Sequence, residues 1–478
     1  MKKFPNRYIE RMKSILPKNE WKNFFEKVTA PLPKTIRIKS FSTFEKNKPT
    51  GWTLKPVVEL NEAFFIKRED QKELALGKTL EHFSGEIYVQ SLSSMLPVKV
   101  LNPFPGEKIL DMCAAPGSKS TFLSEKMENS GVLICNELSS SRSKKLSANL
   151  TRMGSLNFVM TQSNGSTMQY FFGQEFDKIL LDAPCSSEGF ARRDSKFFEK
   201  MWQEKKIFTA AKLQKQLILS AFNMLVPGGT MVYSTCTSAP EENEFVIAHL
   251  LSNIPQAELL PIDLGAIPSR KGLTEFDGKS IPAEISKNVR RINPHLETEN
   301  WSSESFFIAL IRKSAPQKLT PPKKPFIKNP PKIPKKQQQA EVITRLAKKF
   351  GIDKSIFKPF ILVEKDNEFF LTTRDAAGFC QKNLFRKLGL KILDKDRHIT
   401  TAFALNFGTA ATKNKIILTN HQKQKWMEGY DLIFDDSFPK KDFKNGDEMM
   451  ILFDRFCLGY GKVMDTKLKN KLNRDLVF

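Results

Sequence analysis

Apolar residues recur at helical spacing near the start of the chain: Ile9, Met12, Ile15 and Leu16, then Trp21, Phe24 and Phe25, with basic residues between them. From Pro5 to about Val28 the spacing predicts two short helices. Lys34 to Lys39 then alternates as a half-buried strand does, and Phe64 to Lys67 reads as another, which places Arg37 and Lys39 on one face. Beyond residue 100 the pattern changes. Short apolar runs, Lys108–Asp111, Val132–Glu137, Phe176–Asp182 and Thr230–Thr235, alternate with longer helical stretches from Ser118, over Ser139–Gly154 and over Lys205–Leu225. Strands alternating with helices predict an α/β fold, a doubly wound and mostly parallel sheet, over about residues 100–313.

Past Lys313 the composition shifts. Ser314 to Gln339 holds seven prolines and seven lysines without one acid, the signature of an extended basic linker. Beyond it, Val342–Phe350 is an amphipathic helix among short strand-like runs. The tail (Gly446–Asp454, Leu458–Lys462, Lys467–Lys471) reads as paired strands followed by a basic loop. The expected division is 1–100, 101–313, a linker at 314–339, an α+β unit at 340–425 and a β unit at 426–478.

The chain has 478 residues and a formal charge of +24, from 76 Lys and Arg against 52 Asp and Glu. A polyanionic partner is the natural explanation and a solvated lysine-rich surface the bland one. On the first of these, residues 1–100 and 426–478 are candidate RNA-facing modules. The N-terminus lacks an apolar signal core, and nothing approaches the ~20 apolar residues of a membrane span, so a cytoplasmic location without a membrane partner is expected. Six cysteines, at 113, 135, 185, 236, 380 and 457, form no Cys-x-x-Cys pair. That argues against a disulfide framework, a thiol redox motif and a metal site.

The candidate chemistry gathers at strand ends. Between Asp111 and the helix opening at Ser118 lies Cys113-Ala-Ala-Pro-Gly117, small and tight-turning, where backbone can approach a ligand. It matches neither Gly-x-Gly-x-x-Gly nor a Walker loop, so a different nucleoside cofactor is expected, the alternative being an ordinary turn. Glu137 ends the next strand, where such sheets place a ribose-binding carboxylate. Cys185 and Cys236 follow two later strands. Ser238-Ala-Pro-Glu241 has a capping-box pattern, so a helix is expected just after Cys236, with its N-terminus favouring the thiolate. Cys113, Cys135, Cys380 and Cys457 are expected to be packing residues.

Four stretches carry a family resemblance: Asp111-Met-Cys-Ala-Ala-Pro-Gly-Ser-Lys119, Leu181-Asp-Ala-Pro-Cys-Ser-Ser-Glu-Gly189, Tyr233-Ser-Thr-Cys-Thr237 with Glu241-Glu-Asn-Glu244, and Arg290-Arg-Ile-Asn-Pro-His295. In this order they resemble the motifs of the S-adenosylmethionine-dependent RNA 5-methylcytosine methyltransferases of the NOL1/NOP2/Sun family. The resemblance implies a Rossmann-like methyltransferase domain, a PUA-like RNA-binding domain at the end of the chain, and action on 16S rRNA or the small ribosomal subunit; a monomer is expected. Transfer to tRNA is the alternative substrate, and a non-catalytic ribosome-assembly factor the alternative class. It further implies that Cys236 attacks cytosine C6, that Cys185 assists elimination and that Asp182 engages N3. Cys113, Ala114, Ala115, Pro116, Gly117, Ser118 and Lys119 would hold the methionine part of S-adenosylmethionine, with Asp182 also at the cofactor. Glu137 would hold its ribose. Asn164 stands where the family often has an acid for the adenine, while Ser187 and Ser305 stand where glycine is common and Lys39 where asparagine is.

Overall fold

The computed structural model describes residues 4–69, 75–318, 321, 322, 327, 329–436, 438 and 443–473, apart from the side chains of 190 and 195–197. The expected linker therefore lies partly outside the described residues. The central sheet has nine strands, numbered in chain order: β1 Lys108–Asp111, β2 Val132–Asn136, β3 Phe158–Thr161, β4 Phe176–Asp182, β5 Leu225–Thr235, β6 Ala257–Leu260, β7 Arg290–Ile292, β8 Phe306–Lys313 and β9 Lys387–Leu388. Four of its helices matter for the site: α1 Ser118–Lys126, α2 Ser140–Arg152, α3 Glu204–Asn223 and α4 Glu244–Asn253.

The order across the sheet is β6-β8-β5-β4-β1-β2-β3-β9, with β7 also pairing with β8. Strands β3, β2, β1, β4 and β5 are parallel, and antiparallel strands close both edges. The chain winds outward from β1 to β3, then returns to β4 and β5 on the other side. The loops after β1 and β4 therefore diverge, and a crevice opens at their carboxyl ends. Both faces of the sheet are covered, which is why β2 is buried at every position. Strand periodicity divides one run of residues between two cores: Ile109 and Leu133 pack with α1 and α2, while Leu110 and Ile134 pack with α3 and α4.

The region past the linker completes this body. The helix Arg374–Lys382 places Ala376, Ala377, Phe379 and Cys380 in the α3 and α4 core, and β9 covers the open edge of β3. Two separate sheets follow, one of three strands (Ile361–Lys365, Glu368–Thr372, Leu390–Leu393) and one of five. The five-stranded sheet takes its first strand from Lys415–Ile417, ahead of position 426, and includes the tail hairpin Glu448–Phe453 with Phe456–Val463. Cys135, Cys380 and Cys457 are all buried.

The two N-terminal helices form at Asn6–Ile15 and Trp21–Thr29 and share an aromatic cluster with Phe198 and Trp202, just beyond the loop that carries Cys185. The strand Thr35–Ile38 also forms, but Arg37 does not face outward to a nucleic acid. It is fully buried, donates to the Ser118 carbonyl (3.3 Å) and the Thr121 hydroxyl (2.9 Å), pairs with Glu125, and lies over the rings of Phe122 (4.6 Å) and Tyr88 (5.3 Å). Its face of the strand packs on α1, which the alternation alone does not reveal. Among the described residues no helix is long and apolar enough to cross a membrane.

Candidate active site

The loop after β1 is held in a cradle by backbone bonds. Met112 N–H donates to the Leu180 carbonyl (3.0 Å) and Ala114 N–H to the Asn136 carbonyl (2.9 Å), and the Ala115–Pro116 peptide is cis. Gly117, at φ +108°, delivers the chain into α1, and a Cβ there would stand 3.1 Å from Leu146 Cδ1. Only glycine takes that backbone conformation without strain. Asp111 is buried, accepts from the Ser120 hydroxyl (2.6 Å) and keeps Oδ1 without a partner. Burial pushes its carboxyl up to about 7.

From the first turn of α1, Lys119 reaches across the crevice. Its Nζ donates to Asp182 Oδ2 (2.7 Å) and Ser94 Oγ (3.0 Å), while Asp182 Oδ1 accepts from the Ser234 hydroxyl (2.8 Å). The ends of β1, β4 and β5 are thereby tied together. Glu137, buried at the end of β2, accepts from Ser139 N–H (2.9 Å) and pairs with Arg142 (3.3 Å), which donates to the Ala115 carbonyl (2.6 Å). Asn164 lies apart from this network, exposed, with its Oδ1 accepting from the amide (3.1 Å) and hydroxyl (2.9 Å) of Ser166. Sequence reasoning missed Asn136, which donates to the Met112 (3.1 Å) and Ser163 (3.0 Å) carbonyls and accepts from Thr161 (2.9 Å), binding three strand-end loops together. Its position beside Glu137 was the only available signal.

The loops after β4 and β5 bring Cys185 and Cys236 together, with their sulfurs 3.2 Å apart. The Cys185 thiol is pushed well up, first by its hydrogen bond with Cys236 and then by burial. The expected helix start just after Cys236 is not there. Pro240–Glu242 is a 3₁₀ turn and α4 begins only at Glu244. Ser238 N–H goes to Glu188 (3.0 Å) and Glu241 pairs with Arg11 (2.8 Å), so the capping-box partners are engaged elsewhere.

Two glutamates that the sequence reading quoted but left without a role lie against the cysteine loops. Glu242 accepts from Ser186 N–H (2.9 Å), the Ser186 hydroxyl and Gln214 (2.9 Å), and burial pushes it up to about 7. Glu188 accepts from the Thr237 hydroxyl (2.8 Å) as well as from Ser238 N–H, and burial raises it too. The site thus offers a small-residue cradle, an acid tied to a lysine, and two thiols close enough to exchange a proton.

Residues 98–312 match the family described as 16S rRNA methyltransferase RsmB/F, and residues 4–92 match the N-terminal domain of 16S rRNA methyltransferase RsmF. Over 99% of this chain and 96% of the relative, the sequence is 33% identical to ribosomal RNA small subunit methyltransferase F of Klebsiella pneumoniae strain 342. With its namesake in Erwinia tasmaniensis it shares 32% identity over 99% of this chain and 97% of that one. A methyltransferase homolog protein from Pyrococcus horikoshii superposes with a TM-score of 0.53 at 36% identity, over 63% of this chain and 92% of that one.

Proposed function

Because this chain belongs to the RsmB/F family of 16S rRNA methyltransferases, we propose that it transfers a methyl group from S-adenosylmethionine to C5 of a cytosine in 16S rRNA. The observation that carries the reading is the 3.2 Å approach of the Cys185 and Cys236 sulfurs at the mouth of a methyltransferase sheet. Cytosine C5 is a weak nucleophile, so the ring must first be activated by addition at C6. One thiol suffices for that, and a second beside it suits a reaction that must also be undone.

The residues after β1 and β2 fit the cofactor. Gly117 keeps the cradle open, Asp111 Oδ1 is buried with no partner, and Glu137 supplies a buried carboxylate for ribose hydroxyls. We assign Cys113 to Lys119 to its methionine part and Asn164 to the adenine side. When bound, S-adenosylmethionine supplies an electrophilic methyl group.

The two sulfurs lie 3.2 Å apart, within hydrogen-bond reach, and Cys236 is assigned to attack in its thiolate form. Cys236 Sγ bonds to C6 while Asp182, oriented by Lys119 and Ser234, serves N3, so the C5=C6 electron pair becomes available at C5. Once Cys236 is a thioether its hydrogen bond with Cys185 is gone; Cys185 then gives its own proton to solvent, and the resulting thiolate takes the C5 proton after methylation. The C–H pair then restores C5=C6, and the C6–S pair returns to Cys236 as thiolate. The five-stranded C-terminal sheet is assigned a PUA-like role in holding RNA, with a monomer acting in the cytoplasm and a cytosine extruded from its stack into the crevice.

Labelled methyl transfer to RNA from a strain lacking the gene, with the base identified by mass spectrometry, tests this. 5-Methylcytosine in 16S rRNA is expected. The same base in tRNA alone would move the target, and a different methylated base would refute the chemistry.

A further inference from the structure

Each of the two cysteine loops lends a buried glutamate to the other. Glu242 lies beyond Cys236 in sequence, yet its carboxylate accepts from the amide of Ser186 (2.9 Å), the residue next to Cys185, and from the Ser186 hydroxyl. Glu188 lies beyond Cys185 and accepts from the Thr237 hydroxyl (2.8 Å) and Ser238 amide (3.0 Å), directly after Cys236. Two more contacts join the loops: Gly189 N–H donates to the Cys236 carbonyl (2.8 Å), and the Ser186 and Thr237 hydroxyl oxygens lie 3.1 Å apart.

Such an arrangement is costly. Glu188 is 2% and Glu242 0% exposed, and among the described residues neither is in an ion pair. A buried carboxyl without a cation is destabilising, and an apolar side chain would fill the space at less cost. What the carboxyls supply is directional acceptance, each from one amide and one hydroxyl of the opposite loop. Gln214 reinforces one side by donating both to Glu242 (2.9 Å) and to the Pro184 carbonyl (2.9 Å). Trp202 reinforces the other from its indole N–H to Glu188 (3.3 Å).

We propose that Glu188 and Glu242 are positioning residues in a crossed clasp: the glutamate that follows one cysteine fixes the loop of the other, so Glu242 governs the step Cys185 performs and Glu188 the step Cys236 performs. This rests on the cysteine assignments made above. In the proton-removal step the Cys185 sulfur must reach the C5 hydrogen while Cys236 is bonded to C6, and the Ser186 anchor sets that approach. In the addition step the Cys236 sulfur must reach C6, and the Thr237–Ser238 anchor sets that one. A displacement near 1 Å of a reacting group costs on the order of a hundredfold in rate.

The test follows the denaturation-resistant protein–RNA adduct over time in the full-length protein, with 16S rRNA or small subunits as substrate. Adduct formation and decay are measured separately. Glu242→Ala is expected to form adduct within about threefold of the unmodified rate but to release it on the order of a hundredfold more slowly, so adduct accumulates as in Cys185→Ala. Glu188→Ala is expected to slow formation by a similar factor, even in the Cys185→Ala background. Glu242→Gln and Glu188→Gln keep an acceptor oxygen and should recover most of each step. Ser186→Ala and Thr237→Val remove only the hydroxyl donors and should show the same crossing, more weakly, if the alanine variants do not fold. Equal losses in both steps from both glutamates would mean a merely structural role and overturn the clasp. If Cys185→Ala itself traps no adduct, the cysteine assignments fall and the clasp with them; a trap without the crossing sinks the clasp alone.

Discussion

Arg37 provides a sharp separation between a structural and an RNA-binding role for the N-terminal module. Replacing it with methionine keeps the packing over Phe122 and Tyr88 but removes the guanidinium from the Ser118 carbonyl, the Thr121 hydroxyl and Glu125, whose side chain is 14% exposed. Breaking a buried pair from one side costs about 3–5 kcal/mol, and the residual hydration of Glu125 favours the lower end, about 3 kcal/mol. In a body of more than roughly 300 residues each kcal/mol shifts the melting temperature by about 1–2 °C, so Arg37→Met should lower it by about 3–6 °C. Calorimetric melting of the full-length protein reads that shift, and filter binding to RNA at two salt concentrations reads the other role. A buried clamp predicts a large shift with the salt slope of RNA binding unchanged. A melting temperature within about 2 °C of the parent, together with a salt slope smaller by about one counterion, would refute the packing argument and restore a phosphate contact.

Gly117→Ala should cost about 1–3 kcal/mol, because φ +108° is strained for any residue with a Cβ; titration calorimetry should show the loss in cofactor affinity, and unchanged binding would count against the cradle. Asp111 and Glu242 are both raised to about 7 in the folded protein, above their unfolded values, so their contribution to stability is complete below about pH 4 and is lost as pH rises toward 7. Each adds a downward slope of up to about 1.4 kcal/mol per pH unit, and Asp111→Asn should remove one share of it in denaturant titrations from pH 4.5 to 8; an unchanged slope would show that Asp111 ionises normally. Cys236→Ala should abolish methyl transfer while RNA binding survives, and Cys185→Ala should leave a protein–RNA adduct on a denaturing gel; near-normal transfer by the first would remove the nucleophile.

How much of this was legible in sequence depended on the range of the interaction. The parallel strands and the loop after β1 could be read because their information is local: a run such as Val132–Asn136 is apolar throughout since both its faces are covered, and Gly117 is required by its own backbone. Position 236 could also be read, as the residue delivered by a strand into a loop. Its electrostatic surroundings could not. The Ser238–Glu241 pattern predicted a cap from neighbours in sequence, but Glu188 and Arg11, distant in the chain, take those two residues as partners. Arg37 shows the same limit, since alternation defines two faces of a strand without saying which one meets α1. Strand β9 has only two residues, and its pairing with β3 is settled by Arg386 N–H donating to the Met160 carbonyl (2.8 Å) and Gly389 N–H to that of Phe158 (2.9 Å), across nearly half the chain. These failures share one cause: a polar group's partner in a folded chain is set by tertiary proximity, and a single sequence records residue types without recording who meets whom. Long-range polar partnerships are therefore where the sequence was silent, and the glutamates of the two cysteine loops are the case in which that silence covered a candidate part of the catalytic apparatus.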